Sequence, residues 1–150
     1  MQYWLFKTEP DEFSIDDLKR KNKEIWDGIR NYQARNFLRD QVALGDLVFI
    51  YHSSCKEPGI VGVAKVIKTA FPDPSQFDSQ SKYYDAKSTT DNPRWTSVTL
   101  EFVDKLRIIA LSKLKADKQL ESMYLVQKGS RLSIQPVTES EWEYILNTYG

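Results

Sequence analysis

The chain is short of the residues from which most catalytic and metal sites are built. Its 150 residues include one cysteine, Cys55, and one histidine, His52. A single thiol excludes an internal disulfide and a cysteine zinc site, and it fits a reducing compartment. A single imidazole excludes a multi-histidine metal centre. The motifs GxGxxG, P-loop, GxSxG and HExxH are all missing, so no cofactor and no metal is expected. An excess of charge is missing too: 21 Lys plus Arg stand against 21 Asp plus Glu. A protein held to nucleic acid mainly by phosphate attraction carries a basic excess, so any such binding here must come from local placement. No run approaches the roughly 18 apolar residues of a membrane helix, and MQYWLFKTEP lacks the basic-then-apolar pattern of a signal peptide. A soluble chain with no membrane partner is expected, in the cytoplasm by default.

What the sequence has is aromatic surface: four Trp, eight Tyr and seven Phe. At this length the chain fits one domain, residues 1–150, able to bury a core without staples. YWLFK reads as an N-terminal strand ended by Pro10. Ser14 and Asp17 form a capping box for a helix through about Arg20, and Asn31 can cap a second helix to about Asp40. Leu47–Tyr51 and Ile60–Lys68 read as buried strands, with Gly59 and Gly62 marking a bulge or a close backbone approach. Residues 70–94 lack periodicity, which at this length means a functional or disordered loop. RWTSVTLEFVDKLR returns to strand character, ALSKLKADKQLESM reads as a short helix, and GSRLSIQPV as a strand that sets Arg131, Ser133 and Gln135 on one face. Thr138 and Glu141 start the last helix with another capping box. Strands interleaved irregularly with short helices indicate an α+β fold built on a small curved sheet or barrel.

Two clusters carry chemistry. In YHSSC, His52, Ser53 and Cys55 are near neighbours, but residues adjacent at a strand end rarely converge into a nucleophilic dyad. His52 is either an ordinary strand-end histidine or a ring that bonds or stacks on a ligand at a rim. In WDGIRNYQARNFLRD, residues 26–40, Tyr32, Arg35, Asn36 and Arg39 share one helix face opposite Ala34, Phe37 and Leu38. A solvated charged face is the commoner reason for such spacing. The chemistry favours recognition, because Arg, Asn, Gln and Tyr bond phosphates and base edges or stack on bases. Trp26 and Trp95 stand beside turn signals, whereas Trp4 and Trp142 sit in core-like patterns. Together with Tyr32, Tyr83 and Tyr84, the first two can line a slot for a flat ring.

YWLFKTEPDEFSIDDL, WDGIRNYQARNFLRD, GDLVFIYHSSCKEPGIVGVAKV, PDPSQFD, YYD, PRW and GSRLSIQPVTESEW follow one another in an order that resembles the EVE domain over residues 2–147. The resemblance implies the PUA-like superfamily, a small curved β-barrel flanked by short helices, and kinship to YTH domains, which hold a methylated adenine in an aromatic cage. It implies a reader of modified bases, with modified cytosine in DNA a leading candidate and a modified RNA base another. By position it assigns a base pocket to Lys7, Thr8, Trp26, Asn31, Tyr32, Gln33, His52, Ser53 and Trp95, and phosphate contacts to Arg30, Arg35 and Arg131. Phe37 and Ser54 stand where such domains often carry asparagine, so any amide contact made there would be lost.

The expected function is therefore non-enzymatic nucleic-acid binding, in which one base stacks on Trp26 or Trp95 and is bonded through Asn31, Gln33 or Ser53. The alternatives are a sensor of a nucleoside or organic anion, and an enzyme acting on modified bases with His52 as acid or base. A monomer is expected. The lack of a basic extension ahead of the first strand favours a bacterial cytoplasmic setting over a eukaryotic nuclear one.

Overall fold

A computed structural model describes residues 1–150. The first strand, β1 (Tyr3–Thr8), buries Trp4 and Phe6 on one side and Leu5 on the other. Both of its faces are covered, which is why its sequence reads as an unbroken apolar run. α1 (Ile15–Lys21) starts at the Ser14 and Asp17 capping box, and both reciprocal bonds are made. β2 (Lys23–Trp26) leads to α2 (Tyr32–Asp40), capped by Asn31, whose side chain accepts from the Ala34 amide at 3.0 Å. Next come β3 (Leu47–His52), β4 (Gly59–Pro72), β5 (Thr96–Ala110), α3 (Leu111–Ala116), β6 (Ile134–Val137) and α4 (Glu139–Tyr149). The last helix makes the Thr138 and Glu141 capping box.

The six strands form one sheet in the order β2, β5, β4, β3, β1, β6. β1 and β3 run parallel, and every other pair is antiparallel. No ladder joins the edge strands β2 and β6, so the expected barrel is a curved sheet left open. The α+β architecture with flanking helices is as expected. One core lies under α1 and α2 and contains Trp4, Phe6, Leu18, Trp26, Ala34 and Leu38. A second lies on the opposite face under α3 and α4, with Phe49 stacked on Trp142 at 3.8 Å.

Bulges at Ile50/Tyr51 and Ile60/Gly62 bend the long strands. At Gly62 an added Cβ would lie 2.3 Å from Ile15 Cδ1 and 2.9 Å from the Asp104 carbonyl oxygen, so glycine lets α1 sit against the sheet.

Three expected elements differ. Residues 70–94 are neither wholly loop nor disordered, because β4 continues to Pro72 and a 3-10 turn follows at Pro74–Phe77. Buried polar groups hold the remainder. Gln76, fully buried, donates to the carbonyls of Asp73 and Trp95 and accepts from the amides of Arg94 and Trp95. The helix expected over ALSKLKADKQLESM stops at Ala116, because Asp117 turns extended and caps a 3-10 turn through Gln119. The strand expected over GSRLSIQPV is regular only from Ile134. Gly129 has φ +80, and Gln135 is buried, donating to Ser130 Oγ and the Leu132 carbonyl. Gln135 is therefore a brace beneath the segment rather than part of an outward polar face.

Candidate functional site

A cavity of about 850 Å³ lies at the open side of the sheet, between the end of β1, the segment after β2 and the irregular stretch 130–133. Its volume is within the range of specific small-ligand sites. Of the residues assigned to the base pocket it takes Lys7, Thr8, Trp26 and Ser53, and of the phosphate group it takes Arg131. Asn31, Tyr32, Gln33, Arg30, Arg35, His52 and Trp95 do not line it.

Each wall has a local cause. The Thr8 hydroxyl donates to the Phe13 carbonyl at 2.7 Å, and the Thr8 carbonyl accepts from the Ser53 amide at 3.0 Å, so the ends of β1 and β3 are tied together. The Lys7 amide donates to the Ser133 carbonyl at 2.8 Å, fixing the opposite rim. Trp26 is 94% buried, its ring 5.9 Å from both Phe6 and Phe13, so it forms a fixed wall with little free surface. Tyr83, which sequence reasoning held only as an available aromatic, is the second wall. Its ring lies against Gly28, where an added Cβ would come within 2.8 Å of it, and where φ is +82. Glycine is required there on both counts. The Tyr83 hydroxyl donates to Glu12 Oε2 at 3.1 Å, and Glu12 pairs with Lys82.

Arg30 does not present itself to a phosphate. Nε donates to the Tyr83 carbonyl, Nη1 to Asp73 Oδ2 and the Ile29 carbonyl, and Nη2 to Ser75 Oγ and the Tyr83 carbonyl. All five of its donors are taken. The guanidinium also lies 5.6 Å from the Tyr83 ring and 5.3 Å from the Trp95 ring. Trp95 donates to Asp85 and is stacked at 4.7 Å by Tyr32, which in turn meets the Arg35 guanidinium at 4.8 Å. Arg35 Nη1 donates to the Arg94 carbonyl at 2.7 Å. Tyr83, Arg30, Trp95, Tyr32 and Arg35 are thus a connected cation–aromatic ladder that supports the Tyr83 wall from behind. The residues read as recognition chemistry do converge in space, but as a buttress of the cavity.

Asn31 is occupied as the cap of α2, and Gln33 is exposed without a partner. His52 Nε2 accepts the Ile15 amide at 3.1 Å, so it secures the start of α1. Burial lowers its pKa, opposed by Asp16 and aided by Lys105, and a neutral ring is what an accepting nitrogen needs. Its acid–base role has no geometric support. Phe37 packs edge-on against Trp4 at 5.5 Å and belongs to the core. Ser54 has φ 53, a backbone conformation that asparagine tolerates better than most residues. Asparagine at that position therefore has a conformational reason apart from any amide contact.

Asp27 is the titratable wall group that sequence reasoning missed. Burial pushes its carboxyl above the ordinary carboxylate range, and repulsion from Asp73 adds to this. Asp73 moves the other way. Burial raises it, but hydrogen bonds from Arg30, Ser75 and the Gly28 amide outweigh burial and hold it low. Lys7 is half-buried without an ion pair, and burial alone lowers its pKa. No cluster of His, Cys, Asp and Glu with metal-holding geometry is present.

An open, curved α+β sheet with a charge-balanced, aromatic-walled cavity at its gap defines a ligand-binding module of the kind that takes in a flat polar ring. The chain matches the model of the EVE domain over residues 2–148 and belongs to that family. Human thymocyte nuclear protein 1 is 44% identical over 165 residues, covering 97% of this chain and 72% of that protein. Its structure in complex with DNA containing 5-methylcytosine has a TM-score of 0.92, covering 98% of this chain and 96% of that one. A Pseudomonas syringae protein of known structure is 55% identical, with TM-score 0.95 and 99% coverage of both chains. No helix is long and apolar enough to cross a membrane.

Proposed function

We propose that the chain is a non-enzymatic reader of a modified base in DNA, with 5-methylcytosine the first candidate. The observation that carries this is the cavity, where aromatic walls from Phe13 and Tyr83, the former backed by the buried Trp26, stand beside edge-bonding groups from Asp27 and Ser53. A base enters unpaired, stacks on the aromatic walls for about 1–3 kcal/mol, and leaves its methyl group against apolar surface from Phe13 and Ile25. Cytosine offers an exocyclic amine donor beside a ring-nitrogen acceptor. A carboxylate accepts from that amine, and a protonated carboxyl also donates to the ring nitrogen. Asp27 lines the cavity and can accept from that amine. Arg131, which forms no ion pair or hydrogen bond within the protein, faces the adjoining phosphate, and Lys7 supplies charge at the cavity floor. Catalysis is no part of this reading, because the one imidazole is engaged at α1.

The test is a titration of single-stranded oligonucleotides carrying cytosine, 5-methylcytosine or 5-hydroxymethylcytosine against the wild-type chain and Tyr83→Ala. A preference among the bases that weakens at least several-fold in Tyr83→Ala is expected. Equal affinity for all three at low salt, with Tyr83→Ala unchanged, would sink the reading.

A further inference from the structure

Beyond the stretch 129–131 lies a second groove, of about 500 Å³, which shares Lys7, Ser130 and Arg131 with the first cavity. The two differ in charge. The base cavity sets Lys7, Lys21, Lys82 and Arg131 against Glu9, Glu12, Glu24 and Asp27. The groove is lined by Lys7, Lys115, Lys128 and Arg131 and by no carboxylate. None of these four cations forms an ion pair. The nearby Asp117 accepts from the Tyr144 and Tyr149 hydroxyls at 2.7 and 2.6 Å and is not among the residues lining the groove. In a protein of zero net charge, four unpaired cations in one groove are a local concentration of positive potential.

We propose that this groove binds the phosphodiester backbone of the strand whose base enters the adjoining cavity. The proposal rests on the base-reading function above. A neutral ring with donors and acceptors fits the charge-balanced cavity, and a polyanion fits the groove. The groove's one aromatic, Tyr51, is 97% buried and offers no stacking platform, so the groove is suited to phosphate rather than to a second base. Continuity gives the path: the strand crosses at Ser130 and Arg131, with the base on one side and the next phosphates on the other. Lys7 stands at the junction, its Nζ 5.5 Å from the Tyr51 ring centroid, without an anionic partner. Burial pushes the Tyr51 phenol up to about 12, so no negative charge arises from it in the groove.

The experiment measures affinity against salt concentration for 5-methylcytosine and unmodified single-stranded oligonucleotides. It uses wild type, Lys115→Ala, Lys128→Ala, the double variant, and Lys113→Ala as a control on the same helix but outside the groove. All three lysines are exposed, so folding is not at stake. Each groove substitution is expected to reduce the salt slope by about 0.7, weaken both oligonucleotides equally and leave their ratio unchanged. 5-Methyldeoxycytidine, which has no phosphate, should bind all the variants alike. An unchanged slope in the double variant, or an equal loss in Lys113→Ala, overturns the groove while a surviving methyl preference keeps the base reading. Loss of slope without any methyl preference leaves the groove standing and removes the base reading, and failure to bind any oligonucleotide removes both.

Discussion

Asp27 and His52 exchange the roles that their types suggest. The histidine lies in YHSSC among groups that look reactive, yet its accepting nitrogen caps a helix. The aspartate lies in a turn, yet it lines the cavity, where partial burial shifts its carboxyl upward. For Asp27 the expected outcome is that Asp27→Ala abolishes most of the discrimination between cytosine and thymine ligands. Asp27→Asn, whose amide can flip to match either pyrimidine edge, should retain binding but lose much of the discrimination, and paired titrations decide the matter. For His52 the linkage follows from its lowered pKa. The folded state favours the neutral ring, so the His52 contribution is complete above the unfolded value of 6.5 and is lost as pH falls through the lower folded value. Denaturant melts across that window should show stability falling as pH falls, and His52→Gln should flatten the step. Neither assignment is legible from residue type, because proton affinity depends on burial and partners that neighbours in sequence do not reveal.

Among the elements, the segment between β4 and β5 departs most from its sequence pattern. Its Pro, Asp and Ser content has no period, and what orders it is long-range: Asp73 reaches Gly28 and Arg30, and Gln76 reaches Trp95. Asp73 is fully buried and its Arg30 partner is 22% exposed, so removing the carboxylate leaves a largely covered cation uncompensated. Asp73→Ala should cost about 3–5 kcal/mol in chemical denaturation. It should also weaken oligonucleotide binding in protein that is still folded, because Gly28 and the Tyr83 wall lose their anchor. The capping boxes at Ser14 and Thr138 and the cap at Asn31 were legible because a cap is a local arrangement, complete within four residues. The ends of α3 and β6 were not, because Asp117 and Gln135 are claimed by distant groups or by the turn beneath them.

For the molecule as a whole, zero net charge predicts weak non-specific attraction, and four unpaired cations share the one groove beside the base cavity. With Lys7, Lys115, Lys128 and Arg131 as the phosphate-facing set, the wild-type dependence of log affinity on log salt should have a slope of about −3 on single-stranded DNA, read by fluorescence anisotropy. A slope near zero would mean that base contacts alone hold the ligand. The order of residues by itself specifies the class of fold, most of the strands and caps and the family resemblance, and through that resemblance it picks out Lys7, Thr8, Trp26, Ser53 and Arg131, which line the cavity. Periodicity and capping are short-range, so the order of residues carries them. Only the tertiary structure decided that the sheet stays open, that Arg30, Trp95, Tyr32 and Arg35 brace the cavity from behind, and that Tyr83 and Asp27 form its walls. An arginine on paper has five free donors. Whether any of them remains for a ligand depends on which carbonyls and carboxylates the folded chain brings within 3 Å of it, and here the chain itself uses all five.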